Sequence, residues 1–350
     1  MPINTSLLKA ICEIEGAPGH EKPIRDLVIN EIKDLVDEHF IDNMGNLVAV
    51  KKGKDSSKKA MVAAHMDEIG FIVSHVDDKG FLRFHPLGGF DPKTLTAQRV
   101  KVHGKKELIG VMGSKPIHLM SPEERKQSLS LKDFFVDLGL PKEEVDKYIE
   151  VGNPITRERE LIEMGDCVNC KSLDNRVSVF ILVETLRELA NQEIPYDLYG
   201  VFTVQEEVGI RGAMVAAHHI EPDFSFGLDT TIAFDLPGAK PEEVVTKMGE
   251  GTAIKIMDSS TICDVRMVNY MKKTAEDRKI KWQTELLPAG GTDTAGMQRM
   301  TPQGTIAGAV SIPTRHIHQV IEMSNKNDIR GSIDLLKACI EDLDQNDWSF

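Results

Sequence analysis

The order of apolar and polar positions divides the chain into stretches of different texture. Apolar residues recur at helical spacing over residues 5–15 and 21–38, which predicts two amphipathic helices. Over residues 47–115 short apolar runs alternate with glycine-containing turns, which is typical of strands, and residues 78–80 predict a hairpin turn. A polar segment follows, and after Gly165 apolar helices and buried strands alternate.

The second half of the chain carries the clearest alternation of helix and strand. Together with the helical start and the strand-rich middle, this alternation indicates an α/β fold with a smaller β-rich domain inserted into it. The predicted elements are a short helix after a capping box at 121–124, helices at 174–192, 213–220 and 261–278, a closing helix over about the last 25 residues, and strands at 196–207, 223–229 and 305–313.

The composition narrows the kind of protein. The chain has 350 residues, enough for about two domains of ordinary size, and its hydrophobic fraction of 41% is that of a globular protein. The formal net charge is −13, and no stretch is dense in lysine and arginine. Nucleic acid and anionic membrane surfaces are therefore not expected as partners, because both would repel the chain.

Export and membrane insertion are not expected either. The chain has no apolar run of about 18 residues, and residues 1–19 lack the basic region and apolar core of a secretory signal. Five cysteines predict reduced thiols in a cytoplasmic protein. Cys167 and Cys170 form an isolated pair without the further ligands that a zinc site needs.

Carboxylates and histidines collect where the predicted strands end and one helix begins. Ligands gather beyond the carboxyl ends of strands in α/β sheets, so these side chains are expected to converge. Clustered carboxylates repel one another, and a divalent cation supplies the missing charge. The residues are His65 and Asp67 after one strand, Asp174 at a helix start, Glu206 and Glu207 after a second strand, Asp229 after a third, and His316 and His318 after a fourth.

The donor types point to particular metals. Imidazole and carboxylate without thiolate suit zinc, cobalt or manganese better than calcium. Five ligands, with one carboxylate able to bridge, can hold two metals about 3.5–4 Å apart, which together activate a water and polarise a carbonyl. Each residue alone has an ordinary explanation, such as an N-cap for Asp174 or a surface position for His318. Their joint placement favours the metal site.

Glu206 and Glu207 stand side by side at the end of the predicted strand 196–207. Successive strand residues point to opposite faces, so the two carboxylates are expected to perform different tasks. A solvated strand end is the ordinary alternative. A glycosidase would need two carboxyl groups facing each other about 5–9 Å apart, which opposite strand faces do not supply.

Six segments match the motifs of a known family in its order. They are AAHMDEIGFIV (63–73), SLDNR (172–176), QEEVGIRGA (205–213), GLDTT (227–231), GGTDTAG (290–296) and IPTRHIH (312–318). With these segments the chain resembles the M42 family of metallo-aminopeptidases, which includes glutamyl and deblocking aminopeptidases. The similarity extends over nearly the whole chain.

The resemblance implies a role for each candidate residue. His65, Asp174 and Asp229 would hold one of two divalent metal ions, and Asp174, Glu207 and His318 the other. Zinc is the first expectation, with cobalt and manganese as alternatives. Glu206 would be the general base and acid that acts on the water between the metals, and Asp67 would orient His65. Thr292, Asp293 and His316, which stands where the family has tyrosine, are candidate contacts for the substrate.

The resemblance also implies an architecture and an activity. Residues 1–68 and 161–350 would form a zinc-peptidase-like α/β domain with a mixed central sheet, and residues 69–160 an inserted barrel-like domain for oligomerisation. Family members assemble as dimers or tetrahedral dodecamers. The expected substrates are peptides with a free N-terminus. The alternatives are a metal-dependent deacylase of N-acyl amino acids and a non-catalytic binding or assembly protein that retains the fold.

Overall fold

The structure, a computed structural model, describes residues 2–350, whose strands belong to two sheets. The strands are β1 (Glu38–Ile41), β2 (Leu47–Lys51), β3 (Asp55–His65), β4 (Gly70–Val76), β5 (Leu82–Leu87), β6 (Arg99–His103), β7 (Glu107–Gly113), β8 (Phe135–Asp137), β9 (Pro154–Arg157), β10 (Ile162–Met164), β11 (Cys167–Cys170), β12 (Tyr196–Thr203), β13 (Phe224–Ile232), β14 (Thr252–Met257), β15 (Trp282–Leu286), β16 (Ile306–Arg315) and β17 (Glu322–Asn325). The α-helices are α1 (Thr5–Glu13), α2 (Lys22–Ile32), α3 (Lys142–Tyr148), α4 (Leu173–Leu189), α5 (Arg211–Ile220), α6 (Val265–Asp277), α7 (Asp293–Arg299) and α8 (Lys326–Glu341).

The larger sheet is mixed. Its strands follow the order β1-β2-β12-β3-β13-β16-β17-β11-β10, and β14 joins β16 to β15. The central strands β12, β3, β13 and β16 are mutually parallel, whereas the flanking pairs β1–β2, β2–β12 and β16–β17 are antiparallel. Because the central strands are parallel, their carboxyl ends meet at one edge of the sheet.

Helices cover both faces of the larger sheet. Helix α4 is apolar along most of its length and is largely buried, because α1, α2 and α8 pack over it while it lies on β3 and β13. Residues of α5 and α7 form a separate apolar cluster with Val48, Met61 and Val201. Neighbours of these strand residues, such as Leu47 and Val62, face the α4 cluster instead. The alternation along the strands therefore divides the core between the two faces.

The smaller sheet is a closed barrel with its own core. Its strands follow the order β4-β5-β8-β7-β6-β9 and lie between β3 and β10 in the chain. The barrel interior contains Phe71, Leu82, Val100, Phe134 and Ile155, all buried. The predicted hairpin joins β4 to β5. A mixed sheet with helices and a barrel-like sheet of its own confirms the predicted fold class.

Several predicted helices are shorter in the structure, including the closing helix α8, which ends at Glu341. Helix α2 ends at Ile32, not at residue 38. The capping box at 121–124 forms, since Ser121 Oγ accepts from the Glu124 N–H and the Glu124 carboxylate accepts from the Ser121 N–H. It starts only a single turn, Glu124–Lys126, because the segment is exposed and has no apolar face to bury.

No helix within residues 2–350 combines the length and the apolar character that a membrane span requires.

A pair of glycines tests the close packing of helices on β13 and β16. A Cβ on Gly227 would lie 1.9 Å from Oγ1 of Thr294 in α7, whereas a Cβ on Gly308 would meet the flexible side chains of Met267 and Met271 in α6. We expect Gly227→Ala to lower the free energy of unfolding by about 1–3 kcal/mol, and Gly308→Ala to lower it less. Urea denaturation followed by circular dichroism measures both. Equal losses would contradict this account of the packing.

Candidate metal centre

The central parallel strands bring the candidate residues to one edge of the larger sheet. His65 is the last residue of β3, and Asp229 lies near the end of β13. Asp174 lies in the first turn of α4, where the neighbouring Asn175 donates a side-chain N–H to the carbonyl of Leu228 at 2.9 Å. This hydrogen bond ties the start of α4 to the strand that carries Asp229.

His65, Asp174 and Asp229 form a first group of possible metal ligands. Nε2 of His65 lies 3.4 Å from Oδ1 of Asp174 and 3.8 Å from Oδ1 of Asp229. One donor atom from each residue lies within 4.8 Å of the other two, and all three residues are buried. The three side chains can therefore contact one cation together.

Asp174 also belongs to a second group, with Glu207 and His318. Nε2 of His318 lies 3.4 Å from Oδ2 of Asp174 and 3.4 Å from Oε2 of Glu207. Asp174 thus turns one carboxylate oxygen toward each histidine. The His318 side chain is 36% exposed, whereas that of His65 is 2% exposed, so the second group lies closer to solvent.

Glu206 lies beside the first group without belonging to either. Its Oε2 is 3.8 Å from Nε2 of His65, and the residue is buried. Burial raises the pKa of Glu206 well above its ordinary value, although the nearby His65 opposes the shift. A buried carboxyl with a raised pKa can both accept and donate a proton near neutral pH.

The predicted strand position of the two glutamates is wrong. Strand β12 ends at Thr203, and Gln205 has a φ of 56°, so the chain turns before it reaches Glu206 and Glu207. The carboxylate of Asp67 accepts the backbone N–H of Glu206 at 3.0 Å and that of Glu207 at 3.1 Å. A turn held by this carboxylate, and not the alternation of a strand, separates the two side chains.

Asp67 is fully buried and also faces the first histidine. Nδ1 of His65 lies 3.0 Å from the backbone carbonyl of Asp67 and 3.4 Å from its Oδ1. A hydrogen bond at Nδ1 leaves Nε2, on the side of Asp174 and Asp229, free to bind a metal. One buried carboxylate therefore contacts the residues that carry three of the candidate side chains.

The carboxyl groups of the two ligand groups are close together and buried, and this shifts their pKa values. Burial raises the pKa of Asp229 well above its ordinary value, and burial together with Asp174 raises that of Glu207. Burial lowers the pKa of His318, but the carboxylates of Asp174 and Glu207 outweigh it and raise this pKa to about 11. The acids of this site therefore hold protons more tightly than exposed carboxyls do, and the neighbouring carboxylates favour the charged form of His318.

The chemistry of the donors fits divalent cations. Both groups combine imidazole nitrogen with carboxylate oxygen, the set that zinc, cobalt and manganese accept. Oε1 of Glu207 is buried and has no hydrogen-bond partner within the described part of the chain. A cation would satisfy such an oxygen and would replace the protons that the crowded acids otherwise hold.

A cavity of about 540 Å³ opens from the two groups. Thr292 lines it, as predicted for a residue near the substrate, and so does Ile317. Asp293 is buried behind the wall, where its carboxylate accepts a hydrogen bond from Oγ1 of Thr203. This position favours a structural role for Asp293. His316, with a φ of 60°, lies at the turn before Ile317 and outside the cavity lining.

Sequence reasoning missed a buried charged cluster at the cavity wall. Lys255 lines the cavity, and its Nζ lies 2.7 Å from Oε1 of Glu285 and 3.2 Å from Oδ2 of Asp258. Glu285 also accepts a hydrogen bond from Thr231 at 2.8 Å, two residues after Asp229. The alternation of lysine with apolar residues in β14 is an ordinary strand pattern, so the sequence carries no signal for this cluster.

The chain is similar in sequence and in fold to known proteins. The family described as M42 glutamyl aminopeptidase matches residues 45–335. The chain is 34% identical to the lysyl aminopeptidase of Pyrococcus furiosus over 356 residues, with 99% of both chains covered. The structure is similar to that of aminopeptidase APDkam598 from the archaeon Desulfurococcus kamchatkensis, at a TM-score of 0.92 and 38% identity, with 96% of this chain and 94% of that chain covered.

A further solved structure belongs to the Pyrococcus horikoshii TET1 peptidase, which is described as assembling into a tetrahedron or a large octahedral shell. Its TM-score is 0.87 at 31% identity, with 96% of this chain and 98% of that chain covered. Family match, sequence identity and fold agree over nearly the full length of the chain. The chain therefore belongs to the M42 family of aminopeptidases and is a hydrolase that acts on peptide bonds.

Proposed function

We propose that the chain removes N-terminal residues from peptides with the help of two divalent cations. His65, Asp174 and Asp229 would hold one cation, and Asp174, Glu207 and His318 the other. The observation that carries this proposal is the geometry of Asp174, whose two carboxylate oxygens each lie 3.4 Å from Nε2 of a different histidine. A single carboxylate shared by two ligand groups suits a pair of neighbouring cations.

Zinc, cobalt or manganese bound there would supply Lewis acidity and lower the pKa of a water from near 16 towards about 7. The carboxylates of both groups then serve as ligands and no longer need protons. Among the described residues, the carboxylates within 4 Å of Nε2 of His65 are those of Asp174, Asp229 and Glu206, and of these Glu206 alone lies in neither group. We therefore assign it the proton transfer: it takes a proton from the attacking water and returns it to the amine that leaves.

Asp67 would keep this arrangement in place. It faces Nδ1 of His65 and accepts the backbone N–H groups of Glu206 and Glu207. The proton carrier and one ligand of each group are thus oriented by the same buried carboxylate. A small displacement of the reacting groups lowers the reaction rate strongly, so we assign Asp67 the role of a positioning residue.

The inserted barrel would serve assembly. We propose that residues 69–160 form an oligomerisation domain within a catalytic domain of residues 1–68 and 161–350. The separate apolar core of the barrel supports this division. The description of the P. horikoshii relative as a tetrahedral or octahedral shell supports homo-oligomers, from a dimer to a dodecamer.

Because Glu206 and Glu207 lie in a turn, the alternation of a strand no longer argues against a glycosidase, but the histidines do. Hydrolysis of a glycosidic bond by two carboxyl groups gives no task to His65 and His318, each of which lies 3.4 Å from Asp174. The carboxylate–histidine groups therefore favour metal-assisted hydrolysis of peptides.

The two neighbouring glutamates should respond differently to the same substitution. Glu206→Gln should lower kcat by about 10²–10⁴-fold with the metal content unchanged, because a proton carrier is lost. Glu207→Gln should instead lower the metal content, because a ligand is lost. Steady-state kinetics and elemental analysis after dialysis measure both effects. Near-normal turnover by Glu206→Gln would exclude it as the base.

The substrate class separates an aminopeptidase from a deacylase. We expect aminoacyl anilides with a free α-amine to be hydrolysed much faster than the same anilides carrying an N-acyl group. A panel of aminoacyl groups tested with each metal would also identify the preferred N-terminal residue. Release of the acyl group from the N-acylated substrates, with the anilide bond left intact, would establish the deacylase, and cleavage of neither bond would leave a binding protein.

Metal removal should make stability depend on pH. Burial raises the pKa of Glu206 and Asp229, and it raises that of Asp293 to about 6. An acid whose pKa is higher in the folded state than in the unfolded state binds its proton more tightly when the protein is folded. It therefore stabilises the folded protein at pH values below the unfolded-state pKa of about 4, and this stabilisation is lost as the pH rises through the folded-state pKa.

The metal-stripped protein should therefore melt at lower temperature as the pH rises from about 5 to 8, while the zinc-loaded protein changes less, since the cation offsets the ionised carboxylates. The low pKa of Asp174 has the opposite sign, but its effect lies below this range. Thermal melts at several pH values compare the two forms. Parallel pH profiles would contradict a site crowded with acids.

A further inference from the structure

A second buried carboxylate contacts two of the proposed ligands through their backbones. Glu322 is the first residue of β17 and is fully buried. Its Oε2 accepts the N–H of Asp174 at 2.9 Å, and its Oε1 accepts the N–H of His318 at 2.9 Å. One side chain therefore joins the start of α4 to the loop between β16 and β17.

The backbone at both contacts departs from regular structure. His318 has a φ of 64°, in the left-handed region that residues with a Cβ seldom adopt. Asp174 has φ −77° and ψ 104°, outside helical values, although it lies within the first turn of α4. The left-handed conformation of His318 persists where neighbouring contacts hold it, and Glu322 supplies one such contact as well as one to Asp174.

The pairing matches that of Asp67 on the other side of the site. Asp67 accepts the N–H groups of Glu206 and Glu207, and Glu322 accepts those of Asp174 and His318. Neither carboxylate belongs to a ligand group. Between them they hold the backbone of all three residues of the second group.

We propose that Glu322 is a positioning residue that sets the separation of Asp174 and His318 and thereby the affinity of the second metal position. The inference rests on the proposed two-cation function. Both carboxylate oxygens of Glu322 accept a backbone N–H. In a glutamine one of them is replaced by a side-chain NH₂ group, which cannot accept, so one of the two backbone N–H groups would lose its partner. Loss of this contact would let the His318 loop relax away from Asp174, while the atoms that bind the cation stay chemically unchanged.

A matched control exists elsewhere in the chain. Asp328 is also a fully buried carboxylate that accepts two backbone N–H groups, those of Gly249 at 2.6 Å and Gly251 at 2.8 Å, and it contacts no proposed ligand. Asp328→Asn removes the same kind of interaction from the fold. This variant measures how the loss of a buried carboxylate that accepts two hydrogen bonds affects stability and zinc binding when the carboxylate lies away from the site.

The test is a zinc titration of metal-stripped parent, Glu322→Gln, Glu322→Asp and Asp328→Asn by calorimetry, with thermal melts of the metal-free proteins. Glu322→Gln should weaken one of the two zinc positions by about 10–100-fold, the usual effect of losing a partner that orients a ligand. Asp328→Asn should bind both ions as the parent does, even where it melts lower. Glu322→Asp keeps the charge but has a shorter side chain, so it should show the same loss. It serves as the test variant if Glu322→Gln folds poorly.

The possible results separate this inference from the proposed function. If the parent binds two ions and both Glu322 variants bind them as tightly, the positioning role is overturned while the two-cation function stands. Equal weakening in Asp328→Asn would also overturn it, because a general loss of stability would then explain the effect. If the parent binds fewer than two ions, the two-cation proposal fails and this inference fails with it.

Discussion

Buried carboxylates without enough opposing charge are the constraint on which this site depends. Asp174, Glu206, Glu207 and Asp229 lie together at the edge of the larger sheet, and within the described residues their ion-pair partners within 4 Å are His65 and His318. Ionised acids in such a place are costly unless cations pair with them. Burial raises the pKa of Glu206, Glu207 and Asp229, so without a metal these groups keep protons to higher pH than exposed carboxyls do, whereas two divalent cations would neutralise them instead.

The fold meets this constraint by fixing backbones as well as side chains. Parallel strands bring His65 and Asp229 to one edge, and the hydrogen bond from Asn175 to β13 brings the start of α4 beside them. Asp67 and Glu322 then hold the loops that carry the other groups. Loops ordinarily move more than strands, so hydrogen bonds to two buried carboxylates would keep the proposed metal-binding side chains of these loops in place.

The sequence predicted much of this because strands and motifs are local patterns. Apolar runs located β3, β13 and β16 closely, and the motifs located every residue of the two groups. The position of Glu206 and Glu207 was not predictable, because the turn after Thr203 depends on Asp67, a residue far away in the chain. Glu322 and Lys255 were missed for the same reason, since their partners are distant in sequence.

In the proposed centre, Asp174 is shared by two cations. Anomalous diffraction from crystals of the zinc-loaded protein, recorded on either side of the zinc absorption edge, tests it directly. We expect two peaks that both contact Asp174, one beside His65 and Asp229 and the other beside Glu207 and His318, with Glu206 bound to neither. A single peak, or a peak coordinated by Glu206, would contradict the account.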